Sequence, residues 1–162
     1  MTSEQVLREQ LIQMLRSKNA HMSLESAVAD FPMEAINTRA PNVPYTPWHL
    51  LEHIRIAQWD ILEFVRDPKH VSPPWPKGYW PDQNVIADPS DWEKTLQSYR
   101  SDLDALEELA RDPKTDLFTP IPHGSGQNIL REILTVSDHN AYHTGEFASL
   151  RQVMGTWPKN KK

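Results

Sequence analysis

Residues 127–155 read QNILREILTVSDHNAYHTGEFASLRQVMG, and this stretch decides the fold. Ile129, Ile133, Val136, Asn140, His143, Phe147 and Leu150 recur at steps of three and four, the period of one helix face. The spacing predicts a helix from about Gln127 to Met154, stopped at Gly155, with Pro158 just beyond. A helix with an apolar stripe on one side must bury it against other helices. His143 stands in the middle of this stripe, and His139 stands on its flank one turn earlier.

Working outward, three more stretches carry the same period. Residues 3–18 open with Ser3 and place Leu7, Leu11 and Met14 on one face. Residues 46–66 begin with Thr46 as N-cap and Pro47 at the first helical position, where its missing N–H costs nothing. Their stripe is Leu50, Ile54, Ala57, Ile61 and Phe64. Residues 90–111 offer Ser90 and Glu93 as a capping box, ahead of Trp92, Leu96, Tyr99, Leu103, Leu106 and Ala110. Residues 23–30 add a short helix capped by Ser23. Four amphipathic helices without strands imply an all-α four-helix bundle, one domain over residues 1–162.

The connections are long for a bundle. Residues 67–89 hold six prolines together with Trp75, Tyr79 and Trp80. At ~3.3 Å per residue, such a segment can travel the length of a helix. The second and third long helices are therefore expected to run parallel, joined by a crossover. The aromatic residues are either a functional lid or anchors tucked onto the bundle.

Composition narrows the function. The chain is 38% hydrophobic and 24% charged, too apolar for disorder. Its net charge is −5, and the only basic cluster is Lys159, Lys161 and Lys162, so a nucleic-acid partner is not expected. No apolar run approaches the length of a membrane span, and residues 1–20 lack a secretory apolar core. There is no cysteine, which excludes disulfides, a thiolate nucleophile and sulfur ligands for a metal. This fits a reducing cytoplasm. Thiol chemistry would need a thiol brought by the substrate.

Seven histidines are present, and four form two pairs, His49 with His53 and His139 with His143. Residues at i and i+4 share a helix face, so two imidazoles placed so can converge on one cation. A third from a facing helix would leave the fourth position open, the layout of a catalytic zinc site. The helical neighbours of His53 are mostly apolar, which places it at the core edge as the ligand. The neighbours of His49 are polar, which places it at the exposed mouth, as a rim or outer residue or an incidental histidine. Asn140 is a candidate partner for a ligating ring. Glu146 could orient a ligand, replace one, act as general base, or be an exposed helix glutamate. His21, His70 and His123 read as surface residues.

The stretches YTPWHLLEHI at residues 45–54 and DHNAYHTGE at residues 138–146 resemble the DinB/YfiT-like superfamily. The resemblance covers most of the chain, from the first helix to Gly155. It implies a four-helix bundle with crossover topology and a mononuclear site on His53, His139 and His143, with water. It implies zinc or nickel as the metal and a homodimer as the assembly. Some members transfer low-molecular-weight thiols such as bacillithiol or mycothiol. Similar proteins often carry Gln where this chain has Glu146, which changes the charge of the site.

The expected function is a metal-dependent enzyme acting on a small-molecule substrate, in which the ion activates a water or a thiol. Hydrolysis and thiol transfer fit equally, with Glu146 or His49 moving protons. The alternatives are a non-catalytic metal-binding stress module, or a plain bundle with incidental histidines.

Overall fold

A computed structural model describes residues 1–158; Lys159, Lys161 and Lys162 lie outside the described residues. Five helices follow in order: α1 (Ser3–Leu15), α2 (Leu24–Val28), α3 (Pro47–Arg66), α4 (Pro89–Arg111) and α5 (Ile129–Met154). Single 3-10 turns lie at Met33–Ala35 and Lys77–Tyr79. Among the described residues there is no strand beyond one isolated bridge between Pro120 and Asn128. No described helix is long and apolar enough to cross a membrane.

Local chemistry sets the helix ends. Thr46 caps α3 with Pro47 just inside, as the sequence suggests, and Ser23 caps α2. α1 begins at Ser3 as expected, capped by Thr2 in a reciprocal box with Gln5. The start of α4 differs from expectation. Asp88, not Ser90, caps α4: its carboxylate accepts from the Ser90 and Asp91 amides. Pro89 then takes the first helical position, which Ser90 as cap would have left outside the helix. At the other end of α5, Gly155 adopts φ 64°, a left-handed cap that a side chain would disfavour.

The long helices pack as a four-membered ring. α3 packs on α4 and α5, and α1 packs on the same two. Direction follows from the cross-contacts. Thr95 donates to Glu52, and Gln58 donates to the Tyr99 carbonyl, so position rises together along α3 and α4, which run parallel. Asn140 donates to Gln58 while His143 meets His53, so α5 runs antiparallel to α3. The parallel pair needs a crossover, as expected, and residues 67–88 supply it. That segment retraces α3 from end to start: His70 bonds Asp60, the Tyr79 carbonyl meets His53, and the Val85 carbonyl meets His49.

The stripe of α4 is buried throughout, but two others shift. On α1, Leu15 is buried and Met14 is 41% exposed, because the face turns with Leu7, Arg8 and Leu11. On α3, Leu51, Gln58 and Leu62 join the core while Ile61 and Phe64 are half-buried. A helix gripped by two partners buries a wider arc than a single stripe.

Arg151 is fully buried near the end of α5. Its guanidinium donates to the Ala27 and Ala29 carbonyls at 2.8 and 2.7 Å and to the Thr156 carbonyl at 2.7 Å. It thereby fastens α2 to α5 and faces the Trp157 ring. Charge-assisted hydrogen bonds stabilise more than neutral ones, and removing this donor leaves several carbonyls unpaired. Arg151→Ala should lower stability by about 3 kcal/mol, read from the urea midpoint at unchanged slope; a change within ~0.5 kcal/mol would show that the α2 clasp adds little.

Candidate metal centre

α3 and α5 present their histidines to one another two to three turns from the start of α3. Thr46 fixes where α3 begins, so His53 falls on the face toward α5, 4% exposed. The i,i+4 spacing puts His139 and His143 on the matching face of α5. His53 Nε2 lies 3.1 Å from His143 Nε2 and 3.2 Å from His139 Nε2. The donor atoms of all three fall within 4.8 Å of one another. Three nitrogens bound at ~2.0–2.1 Å to a tetrahedral ion stand ~3.3 Å apart, so the donor set fits a divalent cation.

The outer nitrogens explain why the inner ones converge. A carbonyl can only accept, so His53 Nδ1 carries the proton it gives to the Tyr79 carbonyl at 2.7 Å. Its Nε2 is then a free lone pair aimed at α5. His143 Nδ1 donates to Glu146 Oε2 at 2.5 Å, which frees its Nε2 in the same way. Tyr45 donates to the other oxygen, Glu146 Oε1. Outer partners of this kind fix tautomer and ring direction at metal sites.

The electrostatics suit neutral donors beside one anion. Burial, then the neighbouring His143 and His53, drives the His139 pKa from 6.5 down to about 4. Burial also lowers that of His53. The His143 hydrogen bond, and after it the Tyr45 hydroxyl, hold Glu146 below the usual carboxylate range. Burial beside Glu146 raises the Tyr45 phenol. At neutral pH His53 and His139 are therefore held unprotonated beside an ionised Glu146.

The crossover forms the remaining wall. Trp80 stacks on His53 with centroids 3.9 Å apart and planes 4° from parallel. It also lines a groove of 840 Å³ with Pro74, Pro76, Lys77, Gln83 and Asn84. Of the two readings of the loop aromatics, anchoring describes Tyr79 and Trp80, while Trp75 is 79% exposed.

The expected site residues sort as follows. His53, His139, His143 and Glu146 come together. His49 does not join them, and its place at an exposed mouth is corrected: it is 2% exposed. Its Nδ1 accepts from the Thr46 amide and its Nε2 donates to the Val85 carbonyl at 3.1 Å, so both nitrogens serve backbone. His70 is likewise not a surface residue, since its ring is 9% exposed and bonds Asp60 at 2.7 Å. His123 is exposed and donates to the Phe64 carbonyl. Asn140 holds Gln58 rather than a ligating ring. Tyr45 and Asp60 were not expected at the site, because their contacts reach across the chain and leave no period, and Tyr79 and Trp80 were named only as a lid or as anchors.

Between pH 6.5 and about 4, the unfolded chain protonates at His139 where the folded chain does not. The unfolded state binds more protons there, so stability should fall as pH falls through that window, and the His139 contribution should be flat above it. Chelator-treated protein melted at several pH values should show this slope, and His139→Ala should reduce it. An equal slope in the variant would assign the acid sensitivity elsewhere.

No curated protein and no solved structure matches the chain significantly. The family model described as DinB superfamily matches residues 8–147, a span that includes α3, the crossover and all three convergent histidines. This chain, an all-α bundle with three imidazoles gathered between two antiparallel helices, belongs to the DinB superfamily.

Proposed function

We propose that the chain is an enzyme that uses a zinc or nickel ion on His53, His139 and His143 to act on a small-molecule substrate. The observation that carries this reading is the convergence of three imidazole nitrogens beside a carboxylate whose two oxygens are both engaged. A divalent ion on three neutral rings supplies Lewis acidity, which brings the pKa of a water or a thiol toward neutrality. Glu146 orients His143, takes the proton released by the nucleophile and returns it to the leaving group. Tyr45 steadies Glu146 from the opposite oxygen. His49 acts through structure, pinning the start of α3 four residues ahead of His53. The nucleophile is a water or a low-molecular-weight thiol, since the chain has no cysteine of its own.

Metal-free protein titrated with zinc or nickel should bind one equivalent and melt higher, by about 4 kcal/mol of stabilisation at a thousandfold excess over Kd. The apo bundle should remain folded, because its core is built from apolar residues away from the site. His143→Ala should abolish the gain; an unchanged gain in that variant would remove the three-histidine site.

Turnover distinguishes an enzyme from a passive metal module. The loaded protein should be assayed with thiol plus electrophile pairs and with a panel of esters and amides. Glu146→Gln should keep the metal and lose roughly a hundredfold in rate. Full activity in Glu146→Gln would remove its role as base, and no turnover with any pair would favour the non-catalytic reading.

A further inference from the structure

Asp60 is a buried carboxyl residue away from the three-histidine cluster, 6% exposed, in the second turn of α3 from its C-terminal end. It accepts from His70 Nε2 at 2.7 Å and from the Tyr79 hydroxyl at 2.6 Å. A carboxyl group buried in such a place requires hydrogen-bond partners, and both come from the crossover. His70 is seated further by its ring edge on Trp59, with centroids 5.2 Å apart. The crossover is thus fastened to α3 at two points ten and nineteen residues away from Asp60.

Tyr79 links this fastening to the cluster. Its side chain is held by Asp60 while its carbonyl accepts from His53 Nδ1. The next residue, Trp80, covers the face of the same imidazole. Among the described residues the Tyr79 carbonyl is the only group bonded to His53 Nδ1, and nothing in α3 itself sets that tautomer. His143, by contrast, has its partner on its own helix, at Glu146.

We propose that Asp60, Tyr79 and His70 form a positioning lock that holds the crossover so that the Tyr79 carbonyl fixes His53 as its Nδ1–H tautomer, with Nε2 free toward α5. The lock rests on the proposed metal site only for what the free nitrogen is used for; the tautomer itself is a property of the metal-free protein. None of the three side chains touches a reacting group. Each acts through the backbone at residues 79 and 80.

The test uses the full chain with Asp60→Asn and Tyr79→Phe, which keep size and, for Phe, the ring. Long-range nitrogen–proton NMR on the metal-free protein reads the tautomer of His53 directly. Wild type should show Nδ1–H only, and each variant a mixture of the two tautomers. Cobalt(II) titrated into the same samples should bind roughly tenfold more weakly in each variant. The double variant should lose little beyond Asp60→Asn alone, because both changes remove the Asp60–Tyr79 contact and only Asp60→Asn also touches the His70 bond. Circular dichroism separates this from loss of fold, and a lock that serves stability alone would lower the melting temperature with His53 still wholly Nδ1–H. That outcome in either folded variant overturns the proposal. If wild type binds no cobalt, the metal reading fails, and the tautomer measurement still decides the lock.

Discussion

Three imidazole lone pairs aimed at one point repel each other unless a cation or a proton sits among them, and the bundle is arranged around that constraint. Nitrogens 3.1 and 3.2 Å apart would relax in a flexible setting by rotating one ring. His53 and His143 cannot do so here, because each is tethered by Nδ1 and Trp80 lies flat on the first of them. The helices supply direction and the tethers supply the tautomer. The result is a donor set organised before any ligand arrives, the condition under which binding loses least to reorganisation.

The topology follows from the same need. If α3 and α4 were joined by a tight hairpin they would run antiparallel, and no chain would return past His53. Running them parallel obliges residues 67–88 to retrace α3, which brings the Tyr79 carbonyl and the Trp80 ring to the imidazole. The long, proline-rich connection therefore forms a wall of the site. Its many prolines lower the entropy lost when such a segment is held in one path.

The fold and the convergence of the three histidines were legible in the sequence because both depend on helical period. The stripes of α4 and α5, the Thr46 cap and the paired histidines are all statements about neighbours within a turn or two. His53 was separable from His49 by the same reasoning, although the burial of His49 was not, since its nitrogens are satisfied by backbone that polar sequence neighbours do not reveal. The α4 cap was misplaced because both Asp88 and Ser90 suit that role, and only Pro89 at the first position favours the earlier one. Arg151, Asp60 and Tyr79 were out of reach for a plainer reason. Their partners are carbonyls and side chains brought close by tertiary packing, and a buried charge paired that way looks like a surface residue in the sequence.

The sequence distance across the cluster sets the order in which the molecule can be assembled. His53 is 90 residues from His143 and 86 from His139, and α5 is the last of the described helices. Loop closure over such a span is slow relative to helix formation. The first four helices carry His53 alone of the three convergent histidines, so the full set of three nitrogens exists only once α5 has docked on α3. In the proposed metal reading, an ion that needs all three donors is chosen by the docked bundle and not by its separate helices.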